Sequence, residues 1–564
     1  MNKRRYTLHS VGRFNTINEM LNLACAEAGE KAAFSYKSAG AEVSVSYESF
    51  TADTYALKHA LAAYGIKDGA HAACCGESRY EWATVYLGVL CSDCVFVPVD
   101  RELPPADMVN VLVHSDSSVL FCSEAVEKIV SENLDKLGSV KYFICFDREE
   151  ASADGRFVPY KSFIDEGRRL LEEADGKAPE LHRDPYGLGM LVYTSGTTGM
   201  PKGVMLSEHG IVCCVYYGLQ LCEAHGKCLS VLPWHHTYEA VGILAALHSH
   251  VTICINDKLR NVMKNIQFFK PTYMYLVPAF AEVFYKRIWQ TAEKNGSAET
   301  LRRAVKRSNS LRKAGIDMRR VIFRKIHSQF GGNLRKIVCG GAPMRPEIGD
   351  FFDSIGIKPI NGYGITECSP LVSVSHDDFN DWTTAGVPLA CERVTVDDPD
   401  SDGNGEICVR GDTVMLGYYK DPEQTAQVLE NGMFRTGDYG NINKNGQITV
   451  TGRKKNLIVL DNGKNIYPEE IEGYIMTVPY VLEVVVSGIK DESGSEVALC
   501  AEVYLDRELL AESGDGDPIE TLRSDIKNAL SPLPSYKRIA KIILRDTEFE
   551  KTTSKKIKRN YAKN

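Results

Sequence analysis

The sequence lacks an apolar run long enough to cross a bilayer, an internal repeat and a low-complexity tract. Its best membrane candidate, Val241 to Ile255, is too short and contains His248 and His250. Polar residues follow the basic start, Met1 to Arg5, where a signal peptide needs an apolar core. We therefore expect a cytoplasmic protein. The motifs GxxxxGK[ST] and GxGxxG are also absent, so nothing supports a P-loop NTPase, a kinase or a dehydrogenase.

A strong charge of either sign is missing as well. The chain has 66 Lys and Arg against 74 Asp and Glu, a formal net charge of −8, so no nucleic-acid partner is expected. The 17 cysteines show no zinc-finger spacing, because the pair Cys91 and Cys94 has no second pair. They are interpreted as reduced, buried thiols. With 564 residues, 44% of them apolar, the chain is expected to fold into roughly two to four globular domains or subdomains.

Short apolar segments separated by helical patterns predict an α/β fold. Residues 32–36 and 43–47 predict a hairpin, and residues 71–75, 95–99, 119–122, 142–146 and 187–193 predict buried strands. This alternation indicates βαβ units around a largely parallel sheet. Beyond residue 452, about 110 residues with their own short strands and helices predict a small α+β domain.

The segment from Thr291 to Lys325 has an unusual excess of basic residues, eleven against three acidic ones. The preferred interpretation is a solvated helical face. The alternative is a contact with anionic lipid at a membrane surface, or with a phosphorylated cofactor.

The most informative segment runs from Thr194 to Gly203, after a predicted strand and before a helical pattern that starts near Ser207. Glycines allow tight backbone turns, and hydroxyls and a lysine supply donors and positive charge, which suits a polyphosphate. The candidate phosphate-binding residues are Thr194, Ser195, Gly196, Thr197, Thr198, Gly199 and Lys202.

This loop resembles the signature loop of the acyl-adenylate-forming enzymes, the superfamily of acyl-CoA synthetases, adenylation domains and luciferases. Two later segments resemble its motifs in the same order, Gly340 to Pro343 and Asn361 to Glu367. The resemblance implies that Gly341 and Ala342 line the nucleotide and acyl-carbonyl region. It also implies a nucleotide-binding segment made of Asn361, Gly362, Tyr363 and Gly364, with the tyrosine ring on adenine. Thr366 would lie near the α-phosphate, and Glu367, with Thr194, would bind Mg²⁺.

Three further segments extend the resemblance to the C-terminus. Asp438, in Phe434 to Asp438, matches the residue that accepts hydrogen bonds from the ribose hydroxyls, and Arg453 matches an arginine near the phosphates. Lys556 aligns with the catalytic lysine, although Lys555 stands where the family usually has glycine. Asn456 aligns with the hinge, where aspartate is common. The resemblance therefore implies an adenylation domain at 1–452 and a small mobile domain at 453–564.

The segment Leu232 to Glu239 resembles the acyl-pocket motif of the long-chain fatty acyl-CoA synthetase branch. In that register His236 lies beside the acyl carboxylate, Glu239 is the acidic residue of the branch, and His235 is a neighbour. The implied activity uses ATP, Mg²⁺ and coenzyme A to convert a long-chain fatty acid into its acyl-CoA through an acyl-adenylate. Two alternatives stay open: transfer of the acyl group to an acyl carrier protein, and a non-catalytic lipid- or nucleotide-binding homologue.

Overall fold

The structure is a computed structural model that describes residues 6–66, 68–194, 201–461, 464–490, 496–507, 510, 518–551, 557 and 559. Its strands are β1 Ala32–Ser38, β2 Ala41–Ser46, β3 His71–Cys75, β4 Val95–Pro98, β5 Ser117–Cys122, β6 Tyr142–Cys145, β7 Phe157–Pro159, β8 Leu188–Thr194, β9 Lys202–Ser207, β10 Lys227–Ser230, β11 Thr252–Ile255, β12 Tyr273–Leu276, β13 Lys336–Cys339, β14 Lys358–Gly364, β15 Leu371–Val374, β16 Val387–Pro388, β17 Glu392–Asp397, β18 Gly405–Gly411, β19 Gly417–Tyr418, β20 Leu429–Glu430, β21 Met433–Ile442, β22 Ile448–Arg453, β23 Ile458–Val459, β24 Asn465–Ile466, β25 Val481–Lys490, β26 Glu496–Leu505 and β27 Ile539–Arg545.

The helices occupy much of the chain between these strands. They are α1 Ile17–Ala28, α2 Tyr47–Ala63, α3 Tyr80–Leu90, α4 Pro105–His114, α5 Glu124–Ser131, α6 Tyr160–Glu173, α7 Glu208–Leu221, α8 Thr237–His248, α9 Val262–Phe269, α10 Pro278–Lys294, α11 Ala298–Lys313, α12 Arg319–Ile322, α13 Arg324–Gln329, α14 Pro346–Ile355, α15 Pro422–Val428, α16 Pro468–Ile475 and α17 Pro518–Ala529. Among the described residues, no helix combines the length and apolar composition that a membrane crossing needs.

Contacts divide the chain into two units. The first contains Met1–Val394, Val409–Phe434 and Gly446–Ile448, and the second contains Thr395–Cys408, Arg435–Asn445 and Thr449–Asn564.

Two large sheets, each with a parallel core, organise the first unit. One has eight strands in the order β19-β9-β8-β4-β3-β5-β6-β7, and the other has nine in the order β16-β15-β14-β13-β12-β10-β11-β1-β2. Neighbours from β3 to β7 are parallel, as are β10 to β14 and the β1–β11 pair. Crossovers between parallel strands require intervening helices, so the α/β class predicted from the sequence is confirmed.

The first unit has separate hydrophobic cores on its two sheets. Buried residues such as Leu120 and Phe143 form one with α4 and α5, and Met274 and Ile337 belong to the other with α9, α10 and α14. The predicted hairpin is β1–β2, whose strands pair antiparallel. The basic 291–325 segment lies mainly on α11, where the arginines and lysines are exposed.

The second unit includes a three-stranded sheet in the order β25-β26-β27 and the hairpin β23–β24. Strands β25 and β26 are antiparallel, and β27 joins β26 in parallel. Helices α16 and α17 contribute to a core that includes Ile471, Val486 and Leu522. Strands β17, β18, β20, β21 and β22 belong to a further, five-stranded sheet.

One difference from the sequence prediction concerns the segment before α7. The chain after the hydroxyl-rich loop forms β9, which pairs antiparallel with β8, before α7 begins at Glu208. Ser207 caps that helix, because its side chain accepts a hydrogen bond from the Gly210 backbone N–H. The loop is therefore the connection of a β-hairpin, and its two ends are held together by backbone pairing.

Candidate active site

The hydroxyl-rich loop begins and ends at neighbouring positions of the first unit. Thr194 at the end of β8 is the direct partner of Lys202 at the start of β9. The sequence candidates between them, Ser195, Gly196, Thr197, Thr198 and Gly199, lie outside the described residues. The hairpin therefore places Thr194 and Lys202 opposite each other.

A short chain of side-chain contacts connects this hairpin to Glu367. The Lys202 ammonium lies over the Tyr418 ring, 5.2 Å from the ring centre. The Tyr418 hydroxyl donates a hydrogen bond of 2.9 Å to Glu367 Oε1. Tyr418 is held at this position because β19 pairs with β9, with Tyr418 opposite Val204. Two sequence-predicted groups, Lys202 and Glu367, are thus joined by a tyrosine that the sequence analysis did not identify.

Glu367 is also fixed through its backbone. It lies in a 3₁₀ turn, Thr366–Cys368, and its carbonyl accepts a 2.8 Å hydrogen bond from the Met415 N–H. Thr366 and Glu367 are both half-buried. The Glu367 carboxylate fits Mg²⁺, because this ion prefers oxygen ligands and is usually held by one or two carboxylates together with substrate phosphates and water. Thr194, the second predicted ligand, is half-buried at the end of β8.

The segment predicted to hold the nucleotide base lies at the end of β14. Asn361 donates through Nδ2 to the Trp382 carbonyl at 2.6 Å, while its Oδ1 is buried with no hydrogen-bond partner among the described residues. Such an acceptor suits a ligand that brings an N–H donor, because an unpaired buried oxygen is costly. Tyr363 is 8% exposed, and Gly362 lies between these two residues. Gly364 has no room for a side chain, since a Cβ there would lie 2.0 Å from the Pro370 carbonyl oxygen.

The motif after β13 is an exposed turn. Gly341 has a φ of +83°, a conformation that favours glycine, and Ala342 beside it is exposed. The turn leads to α14, which begins at Pro346.

The predicted acyl-site histidine belongs to a pair. His236 precedes α8 and is half-buried, and its ring centre lies 4.3 Å from that of His235. His235 Nε2 is 3.5 Å from Asp100 Oδ1, just after β4. Burial, together with the neighbouring His236, lowers the pKa of His235 to about 3. His235 is therefore neutral at physiological pH, and Asp100 was not identified from the sequence.

Glu239 lies in the first turn of α8, which His236 precedes. It is 1% exposed, and Ser230 at the end of β10 donates a hydrogen bond to its Oε1. The Trp234 indole N–H in turn donates to the Ser230 hydroxyl at 2.6 Å. Burial raises the pKa of Glu239 to about 8, so its carboxyl is mostly protonated at neutral pH.

The remaining predicted residues belong to the second unit. Asp438 and Arg453 contact each other, with 2.7 Å between Oδ1 and Nε. Asn456, at the predicted hinge, is buried and donates through Nδ2 to Glu469 Oε1 at 2.5 Å. Lys556 lies outside the described residues. The structure therefore brings the ribose and phosphate candidates of this unit together.

Comparison with known proteins identifies the family. A model of the AMP-binding enzymes matches residues 21–419, and a model of their C-terminal domain matches residues 455–564. The long-chain-fatty-acid–CoA ligase FadD15 of Mycobacterium bovis is 30% identical over 449 residues, which are 76% of this chain and 72% of that protein. The chain belongs to the AMP-binding enzymes, in the long-chain acyl-CoA synthetase branch.

Other relatives agree with this assignment. This AMP-binding enzyme is 26% identical to fatty acyl-CoA synthetase B of Dictyostelium discoideum over 509 residues, covering 85% of this chain and 76% of that one. The crystal structure of the anthranilate CoA ligase AuaEII with anthranoyl-AMP superimposes with a TM-score of 0.77 at 17% identity, covering 97% and 96% of the two chains. The family resemblance noted in the sequence is thus confirmed, and the fold is that of the adenylate-forming enzymes.

Proposed function

We propose that the protein activates a long-chain fatty acid with ATP and transfers the acyl group to coenzyme A, releasing pyrophosphate and AMP. The observation that carries the adenylation step is the contact chain from Lys202 through Tyr418 to Glu367, because it gathers a cation and a carboxylate beside a hydroxyl-rich hairpin. The acid and the acceptor are proposed from the relative FadD15, whose name gives a long-chain fatty acid and CoA.

The reaction proceeds in two steps because an acid carboxylate has no good leaving group. In the first, a carboxylate oxygen of the fatty acid attacks the α-phosphorus of ATP, and the bond to the β-phosphate bridging oxygen breaks, which releases pyrophosphate. In the second, the thiol of coenzyme A attacks the carbonyl of the mixed anhydride, gives up its proton, and AMP leaves.

Each predicted residue has a role that follows from its chemistry. Lys202 and Lys556 neutralise phosphate charge, and Thr366 donates to the α-phosphate; preorganised donors of this kind typically contribute several kcal/mol to catalysis. Bound at Glu367, Mg²⁺ would supply a Lewis acid for the phosphate oxygens. Asp438 accepts from the ribose hydroxyls, with Arg453 at its side. His236 lies beside the acyl carboxylate.

The domain arrangement is part of the proposal. Residues 1–452 would form the adenylation domain, and residues 453–564 a mobile domain that turns about Asn456 between the two steps. Lys556→Ala should abolish acid-dependent pyrophosphate exchange and leave thiolysis of supplied acyl-adenylate largely intact. Equal loss of both steps would reject the role of Lys556.

AMP release from a series of acids, with and without an acceptor, tests the activity as a whole. Long-chain fatty acids with coenzyme A should give the highest rate, and short or aromatic acids a low one. Faster transfer to a phosphopantetheinylated carrier protein than to coenzyme A would instead support the carrier-protein alternative. No AMP with any acid, despite ATP binding, would support the non-catalytic homologue.

We place the reaction in the cytoplasm, with a peripheral membrane contact through the basic residues of α11 as the alternative to a purely solvated face. Co-sedimentation with vesicles containing anionic lipid separates the two, because only the contact would give salt-sensitive binding.

A further inference from the structure

A group of metal-ligand side chains lies in the first unit, apart from the residues assigned to the reaction. His209 and Cys213 are one turn apart on α7, and Asp412 follows β18. One potential ligand atom from each of these three residues lies within 4.8 Å of the other two. The chain brings them together from segments about two hundred positions apart, so no local spacing motif predicts the group.

The two distances from His209 suit tetrahedral coordination. His209 Nε2 is 3.5 Å from Cys213 Sγ and 3.8 Å from Asp412 Oδ1. Zinc bonds of about 2.3 Å to sulfur and about 2.1 Å to nitrogen, at a tetrahedral angle, separate the two ligand atoms by about 3.6 Å. The His209–Cys213 pair therefore needs almost no movement to share one ion.

Two neighbouring residues, Cys391 and Glu392, add potential metal ligands beside these three side chains. Cys391 lies next to Cys213. The backbone beside it is tightly packed, because a Cβ on Gly411 would lie 2.4 Å from the Cys391 carbonyl oxygen. Both carboxylate oxygens of Glu392 are buried without a hydrogen-bond partner in the described part of the chain. These side chains place further sulfur and oxygen atoms, the usual ligands of a cation, beside the group.

We propose that His209, Cys213 and Asp412 bind a structural Zn²⁺ ion. An imidazole, a thiolate and a carboxylate are all zinc ligands, whereas Mg²⁺ and Ca²⁺ prefer sites made only of oxygen. Cys391, which lies outside this group of three, would have to approach the ion to take the fourth position.

The ion would connect α7 to the residues after β18, which include Asp412. Through Cys391 it would also reach the residues before β17. Gly210 on α7 is close both to Asp412 and to Ser369, which follows the turn that carries Glu367. A Cβ on Gly210 would lie 2.9 Å from Ser369 Oγ and 3.1 Å from the Asp412 carbonyl oxygen. None of the three ligands has a role in the proposed reaction. The zinc site therefore stands or falls independently of the ligase activity.

Metal analysis of the full-length protein tests the proposal. After purification under reducing conditions and dialysis, we expect about one zinc per chain in the wild type. Cys213→Ser and His209→Asn should lower zinc affinity at least about 100-fold, measured by competition with a chromophoric chelator. Cys25→Ser is the matched control, because Cys25 is a half-buried helical cysteine outside the cluster, and it should keep the wild-type zinc content.

Cobalt substitution gives a second measurement on the wild-type chain, which does not depend on how well the variants fold. Co²⁺ added to metal-free protein should produce intense tetrahedral d–d bands and a thiolate-to-metal charge-transfer band, and Cys213→Ser should weaken the latter. Absence of both features in the wild type would overturn the proposal. The proposal would also be overturned if Cys213→Ser and His209→Asn kept the wild-type zinc content. A Cys213–Cys391 disulfide, detected by intact-mass measurement of protein purified without reductant, would overturn it as well.

Discussion

A buried carboxyl group makes a sharp prediction about the pH dependence of stability. Glu239 is 1% exposed, and its Oε2 has no hydrogen-bond partner among the described residues. Burial raises its pKa from the ordinary 4.5 to about 8, against the opposing effect of the Ser230 hydrogen bond. The proton is therefore held more tightly in the folded chain than in the unfolded one.

The sign and size of the effect follow from this difference. Below about pH 4.5 the group is protonated in both states and has no pH-dependent cost. From there to about pH 8 the folded state must keep a proton that the unfolded state releases, so stability falls by about 1.4 kcal/mol per pH unit. The whole loss is on the order of 5 kcal/mol, of which roughly 3 kcal/mol is reached by pH 7.

Glu239→Gln keeps the shape and the acceptor for Ser230 but cannot ionise. At pH 5 we expect the variant to match the wild type within about 1 kcal/mol, and at pH 8 to be more stable by several kcal/mol. Urea unfolding of the substrate-free protein at pH 5, 6, 7 and 8, read by circular dichroism, measures this difference. Parallel curves for the two proteins would refute the reasoning, because they would mean that Glu239 does not titrate differently on folding.

Glu208→Gln is the matched control for this series. Glu208 is also buried, but its carboxylate is paired with Arg183 at 2.8 Å and accepts a hydrogen bond from the Ile17 N–H at 2.7 Å. Removing its charge leaves a buried guanidinium without its partner, so the variant should be about 3–5 kcal/mol less stable at neutral pH. A gain in stability in both variants would indicate a general effect of glutamine rather than ionisation.

Three further variants test other contacts. Asp377→Asn should cost about 3–5 kcal/mol in urea unfolding, because the buried Lys336 ammonium, 2.5 Å from that carboxylate, loses its counter-ion; a loss below 1 kcal/mol would contradict this. Tyr418→Phe should raise several-fold the Mg²⁺ concentration that half-saturates pyrophosphate exchange, since Glu367 loses the hydroxyl that orients it, and an unchanged Mg²⁺ dependence would argue against the site. Asp438→Asn should raise the KM for ATP about tenfold or more, because a charged acceptor becomes neutral; an unchanged KM would remove it from the ribose role.

Local patterns were sufficient to predict much of the fold. The strand His71–Cys75 was predicted with the bounds that the structure has, since it is a short apolar segment between turn residues and is buried throughout. Strand β9 was missed. Strand β9 pairs with β8 across the hydroxyl-rich loop, which a local pattern does not predict. Its six residues also come directly before α7, and the helical pattern of α7 is the stronger signal in this segment.

Some residues of the candidate site could be predicted from the sequence and others could not. Residues inside a contiguous motif, such as Glu367, could be named from the sequence because the motif provides their frame. Tyr418 and Asp100 could not, since they reach Glu367 and His235 only through strand pairing and loop packing between distant segments. A glycine followed by two aromatic residues at 417–419 was the one local signal for Tyr418, and alone it describes a buried strand equally well.

Small residues on α7 pack against the turn that carries Glu367. Gly210 leaves room for Ser369, and Cys214, one helical turn later, donates from its thiol to the Cys368 carbonyl at 3.4 Å. Residues four apart lie on one face of a helix, so this face holds the turn, while the adjacent face, one residue earlier, presents His209 and Cys213. A metal bound there would restrain the same helix from a second side. The position of the Glu367 carboxylate thus depends on packing behind it as well as on the hydrogen bond from Tyr418 in front.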